Sequence, residues 1–237
     1  MAQELDLLEL AAAWWSEGRR VALATVVATW GPSPCPLGSQ LLVDDAGWFM
    51  GSVSGGCIEG EVVRRARKVI ETGAPELLEF GIAHEDVWSL GLSCGGRIEV
   101  FVEPVDRRKS SVLSSILGAK SAKLPVALLT QLSTGEQIVV GAASVPEEAG
   151  FDPAAIMRSR ELLAAERNER FDSASGPVFI QAFNTPCQLI LVGARAHRAV
   201  IGTPRQSRGL RDPDHRSAQR VCPSRSLRRA QRRWPLA

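Results

Sequence analysis

Three observations predict a fold of the α/β or α+β class for this chain. Short β-branched apolar runs recur along it, they alternate with amphipathic helical stretches, and glycine- and proline-rich turns divide the two. The chain has 237 residues, 45% apolar and 23% charged, which is enough to bury one large core or two smaller ones. No run approaches the roughly 18 consecutive apolar residues of a membrane-spanning helix. The opening MAQELDLLELAAAWW carries acids and no Lys or Arg before Arg19, unlike the basic start of a signal peptide. Composition therefore predicts a soluble cytoplasmic protein and argues against membrane, secreted and fibrous classes. The five cysteines are odd in number and include no CxxC or CxxH spacing, so neither a disulfide framework nor a local zinc site is expected.

The elements follow in order. Leu7, Leu10, Ala11 and Trp14 have helical spacing and predict a helix over 3–17, ended by Gly18. The β-branched run 20–29 suits a buried strand. WGPSPCPLGSQ (30–40), with three Pro and two Gly, is an irregular loop. Residues 41–55 read as a hairpin turning at Asp45-Ala46-Gly47. A helix over 57–72 has Ile58, Val62, Ala66, Val69 and Ile70 on one face, and Gly73 and Pro75 stop it. Residues 76–80 are a short strand, 81–96 a loop, and 97–105 a strand whose two sides are Ile98, Val100, Val102 and Glu99, Phe101, Glu103. A helix at 107–122 precedes a hairpin formed by 124–133 and 135–143 over Ser133-Thr134-Gly135. Asp152 caps a helix over 152–169 that opens on Pro153, and strands follow at 176–183 and 188–194.

Chemistry concentrates in GSVSGGCIEGEV (51–62), where a strand runs through Ser54-Gly55-Gly56 into a helix expected to begin at Cys57. Two glycines let the backbone approach a ligand, and unpaired first-turn N–H groups suit an anion such as phosphate. The same position favours a thiolate at Cys57, and Ser52, Ser54 and Glu59 are within reach. A plain tight strand–helix turn is the competing reading. The stretch is neither GxGxxG nor GxxxxGK[ST], so no nucleotide signature applies. A second loop, Ser93-Cys94-Gly95-Gly96 before Arg97, either meets the first across one cleft or is a simple bend at a strand start. Cys35 in PSPCP is a third candidate thiol, its ordinary alternative being a small buried apolar residue. His84 reads as a solvated loop histidine, Arg19 and Arg20 as surface charges, and Trp14, Trp15 and Trp48 as packing residues.

These segments resemble the XdhC/CoxI family of accessory proteins for molybdenum hydroxylases such as xanthine dehydrogenase. The resemblance is carried by VALATVVATWGPSPCPLGSQLLV, GSVSGGCIEGEVV and LSCGGRIEVFVEPV through most of 20–105, with QLILVGA (188–194) matching the first strand of the family's Rossmann-like domain. It implies an N-terminal α/β domain over 1–185, the first Rossmann-like strand over 186–194, and a chaperone rather than an enzyme. Such a protein binds the molybdenum cofactor (molybdopterin) as cargo, takes part in its sulfuration with a cysteine desulfurase, and delivers it to the apo molybdenum hydroxylase. The resemblance puts Ser54, Gly55, Gly56, Cys57, Glu59, Cys94, Gly95 and Gly96 at the cofactor, with Cys57 or Cys94 as the residue for metal or sulfur. It leaves the client enzyme and the oligomeric state open, a homo-oligomer included.

After Val192-Gly193-Ala194 the family pattern breaks. Residues 194–237 carry a net charge of +10, against −8 for 1–193, and 28 of these 44 residues are Arg, Ala, Pro, Ser or Gly. A frameshift near codon 194 would produce this composition, leaving 195–237 as a disordered out-of-frame tail and the chaperone impaired by truncation. An Arg-rich arm that binds nucleic acid is the alternative. An NAD(P)-binding Rossmann oxidoreductase is a further reading, opposed by the missing glycine fingerprint after Gly193.

Overall fold

The computed structural model describes residues 6–81, 96–141 and 150–184. All of them lie in one compact unit, residues 1–185. Cys94, Gly95, His84, the strand expected at 188–194 and the Arg-rich segment 195–237 lie outside the described residues.

The described elements, in chain order, are α1 (Leu7–Ser16), β1 (Val21–Trp30), β2 (Gln40–Asp44), β3 (Phe49–Gly51), α2 (Glu59–Thr72), β4 (Glu76–Phe80), β5 (Arg97–Pro104), α3 (Arg107–Ser121), β6 (Val126–Gln131), β7 (Gln137–Gly141), α4 (Pro153–Ala165), β8 (Glu169–Ser173) and β9 (Gly176–Phe183). They form a mixed α/β architecture of two sheets with four helices. One sheet has the order β3-β2-β1-β5-β4 and the other β7-β6-β9-β8, with every pairing antiparallel.

Local chemistry sets the helix ends. Asp6 accepts the Leu8 N–H at 3.0 Å, so α1 opens at Leu7 rather than at residue 3. Gly73, at φ 71°, closes α2 in the left-handed conformation that favours glycine. Asp106 and Asp152 cap α3 and α4 through the N–H groups of Lys109 and Ala154. Helix α4 stops at Ala165, not at 169, and residues 169–173 are a strand instead. Pairing with β9 decides this segment, from Glu169↔Ile180 to Ser173↔Gly176, and Arg158 ties α4 to it through a two-point pair with Glu169 at 2.7 and 2.9 Å.

The strand β1 is buried along its first eight residues because both of its faces are covered. On one side Ala22, Ala24 and Val26 pack with Ile58, Val62, Ala66 and Val69 of the α2 segment. On the other, Val21 and Leu23 meet Leu8, Ala11, Leu113 and Ile116 from α1 and α3. Val27, Phe101, Leu132 and Phe179 join the two sheets, and α4 covers the second sheet through Ala155, Leu162 and Leu163.

Two surface expectations are corrected. Arg19 is half-buried, stacked 3.7 Å from the Trp14 ring centroid and paired with the buried Asp44. Trp48 does not pack. It sits in the β2–β3 turn, where Asp44 fixes its backbone N–H at 2.7 Å and the residue is 73% exposed. Among the described residues no helix is long and apolar enough to cross a membrane.

Sheet geometry gathers the candidate segments. Trp30 at the end of β1 pairs with Arg97 at the start of β5, and Leu41 at the start of β2 pairs with Gly51 at the end of β3. The loop 31–39, the loop 52–58 and Gly96 therefore emerge at one end of the first sheet.

Candidate functional site

At this end the loop before α2 is organised around one carboxylate. Glu59 is only 8% exposed. Its Oε1 accepts from the Ser52 hydroxyl at 2.6 Å, from the Ser54 N–H at 2.9 Å and from the Val53 N–H at 3.3 Å. Its Oε2 accepts from the Ser54 hydroxyl, from the Gly56 N–H at 2.9 Å and from the Ile58 N–H at 3.2 Å. Burial by itself would push this carboxyl up, but the bonds from Ser52 and Ser54 outweigh it and hold Glu59 at about 2. The two remaining donors stay local. The Gly55 N–H goes to Ser52 Oγ at 2.9 Å and the Cys57 N–H to Ser54 Oγ at 3.1 Å. Gly55 and Gly56, at φ 74° and 112°, supply the backbone signs that let these donors converge.

The unpaired N–H groups expected for an incoming anion are thus already engaged. The start of α2 moves accordingly. Ile58 is its N-cap and Glu59 its first residue, so Cys57 precedes the helix rather than opening it. Ser54 does the capping, since its hydroxyl accepts from both Cys57 and Ile58. Cys57 is half-buried and leans on the core between α2 and the sheet.

Cys35 joins the same cluster, its Sγ lying 3.9 Å from Ser52 Oγ. The loop that carries it is held from both sheets. Val26 exchanges backbone bonds with Gly38 and Ser39 at 2.8 and 2.9 Å, beside a bulge in the β1–β5 ladder. Asn168 donates to the Leu37 carbonyl at 2.9 Å, and Gln181 donates to that of Gly38 at 3.3 Å. A Cβ added at Gly55 would lie 3.5 Å from Pro34. On the far side of the loop, Gly96 is needed for close approach, because a Cβ there would enter the Pro32 carbonyl. The structure therefore assembles Ser52, Ser54, Gly55, Gly56, Cys57, Glu59, Cys35 and Gly96 at one end of the sheet.

Sequence reasoning missed the charged groups inside. Glu99 and Glu103 on β5 are 2% and 6% exposed, because the second sheet covers the face that the alternation marks as charged. Arg97 bridges Glu99 at 3.3 Å and Glu79 at 3.1 Å while its guanidinium lies 4.3 Å from the Trp30 ring centroid. Arg170 of β8 reaches Glu99 at 3.3 Å. Burial, only partly offset by Arg170, raises Glu99 above the usual carboxylate range. Glu103 is better satisfied, with Lys109 at 2.5 Å and Gln137 at 3.0 and 3.1 Å. Among the described residues no cluster of three or more His, Cys, Asp or Glu is placed to hold a metal ion. Among the described residues, the soft donors at this end of the sheet are the thiols of Cys35 and Cys57.

A xanthine dehydrogenase from Bacillus halodurans has the same fold, with a TM-score of 0.58 and 22% identity over 76% of this chain and 53% of that one. The molybdenum cofactor insertion chaperone PaoD of Escherichia coli (strain K12) is 30% identical over 112 residues, which are 47% of this chain and 34% of that protein. A probable xanthine dehydrogenase subunit of Bacillus subtilis (strain 168) is 30% identical over 89 residues, 37% of this chain and 27% of that one. The chain thus spans about a third or less of the length of these curated relatives. Residues 14–81, which hold β1, the Cys35 loop, the Glu59 loop and α2, match the XdhC and CoxI family.

Proposed function

We propose that this chain is a molybdenum-cofactor-binding accessory protein that serves the maturation of a xanthine dehydrogenase-type molybdenum hydroxylase, carrying the cofactor rather than using it. The observation that carries the reading is the half-buried Cys57, set at the sheet end by a loop that Glu59 braces, within the stretch that matches the family. The cargo brings a sulfur-ligated metal centre, which a thiol suits. In this reading Cys57 contacts the cargo. Ser54, Gly55, Gly56 and Glu59 shape the wall beside it, and Gly96 keeps the Trp30–Pro32 turn close enough to close the other side. Cys94 and Gly95, next to Gly96 in the chain, belong to the same proposed contact. The partners are the apo hydroxylase and, for sulfuration, a cysteine desulfurase.

The test is retention of molybdenum cofactor released from a donor enzyme, with the full chain and its Cys57→Ala variant compared side by side. The full chain is expected to retain the cofactor through gel filtration and the variant to lose most of it. Absence of retention by the unmutated chain would overturn the proposal.

A further inference from the structure

From residue 53 to residue 58 every main-chain N–H is engaged inside the loop. Those of Val53, Ser54 and Gly56 go to Glu59, that of Gly55 to Ser52 and that of Cys57 to Ser54, while Ile58 shares its own between Glu59 and Ser54. Convergent N–H groups of this kind are the usual receptor for an anion. Here the anion is part of the chain, and it sits too deep in the loop for a ligand to reach those donors without expelling it. We propose that Glu59 is a positioning residue, a built-in anion that fills this cradle and sets how the Cys57 and Cys35 thiols are presented, so that an incoming phosphate or carboxylate does not bind at these N–H groups. The proposal rests on the reading of Cys57 as the cargo contact for its biological meaning, while its test needs no cargo.

The link to Cys57 is direct. Gly56 and Ile58, the residues on either side of it, both donate to Glu59 Oε2. The link to Cys35 runs through Ser52 and follows from counting protons. A serine hydroxyl has one proton and two lone pairs. Ser52 spends its proton on Glu59 Oε1 at 2.6 Å and accepts the Gly55 N–H at 2.9 Å. Its remaining lone pair faces Cys35 Sγ at 3.9 Å, so in this contact the Cys35 S–H donates. With Glu59 removed, the Ser52 proton is freed to turn toward the sulfur, and the loop loses the point on which its donors converge.

The experiment follows iodoacetamide alkylation of Cys57 and Cys35 across a pH series, read by mass spectrometry of the two peptides, with circular dichroism as the folding control. The full chain is compared with Glu59→Ala, Glu59→Gln and Ser52→Ala, each with and without inorganic phosphate or acetate. In the unmutated chain neither anion is expected to change either rate, because the cradle is full. In Glu59→Ala both pH profiles are expected to move several-fold and acetate to restore them, whereas Glu59→Gln, whose amide occupies the space, is not restored. Ser52→Ala is expected to move the Cys35 profile and leave that of Cys57 near its original position. Protection of Cys57 by phosphate in the unmutated chain would overturn the proposal, as would unchanged profiles in Glu59→Ala. Should Glu59→Ala fail to fold, the phosphate arm on the unmutated chain and Ser52→Ala decide it. Cofactor retention and thiol profiles are separate readouts, so either reading can fail without the other.

Discussion

Replacing Lys109 by Met keeps the length of the side chain and removes its charge from a place where charge is costly to leave alone. Lys109 is 5% exposed, and its Nζ lies 2.5 Å from Glu103 Oε1 and 3.1 Å from Gln137 Oε1. The variant leaves the Glu103 carboxylate buried with two bonds from Gln137 Nε2 and no counter-charge. Breaking a buried ion pair by removing one partner costs about 3–5 kcal/mol, and the surviving Gln137 bonds place this case near 3 kcal/mol. For a unit of this size that corresponds to a melting temperature lower by about 6–12 °C. Removing both charges is a different perturbation. In Lys109→Met/Glu103→Leu, Gln137 keeps its bond to Thr130 at 2.9 Å, and stability is expected within about 1 kcal/mol of the starting protein. Urea unfolding at neutral pH, followed by circular dichroism and extrapolated to water, measures both variants. A loss under about 1 kcal/mol for Lys109→Met, or a double variant less stable than the single one, would refute the reasoning.

Other expectations follow from the sheet end. Glu59 titrates at about 2 in the folded chain against 4.5 ordinarily. Its stabilisation is therefore fully present above pH 4.5 and is lost as pH falls toward 2, a change of about 3 kcal/mol. A urea series over that range should show the slope, and Glu59→Gln should flatten it. Gly96→Ala drives a Cβ into the Pro32 carbonyl and should lower stability by about 2 kcal/mol in the same assay. Asn168→Ala removes the donor to the Leu37 carbonyl and the acceptor for the Ala182 N–H. It should cost about 1–2 kcal/mol and speed alkylation of Cys35 by loosening its loop.

What could be read in the chain was local. The β-branched run of β1 and the 3.6-residue spacing of Ile58, Val62, Ala66 and Val69 both specify their elements without help from distant residues. The strand β8 was not legible, because ERFDS has no strong alternation of its own and becomes a strand only by pairing with β9. The start of α2 lies past the point its sequence suggests, for a related reason. Glycines before a cysteine look like an open helix terminus, and only the fold shows Glu59 turning back to fill it. Cys35 had no basic or helical neighbour in sequence. Its place beside Ser52 depends on the β1 bulge and on Asn168 and Gln181, more than 130 residues away. The acids of β5 stood on the charged side of a clean alternation, yet the partners that let them be buried, Lys109 and Arg170, come from α3 and β8.

Strand β5 lies between β1 and β4, although β4 precedes it in the chain. A fragment ending at Phe80 would keep β4 with no neighbour to pair with and would open the long edge of β1, where eight residue pairs now run from Ala22↔Pro104 to Trp30↔Arg97. Residues 14–81 are therefore the stretch that matches the family and not a severable module. Anyone grafting the thiol-bearing loops into another protein would have to carry the chain at least through β9, since the grip on the Cys35 loop is supplied by Asn168 and Gln181.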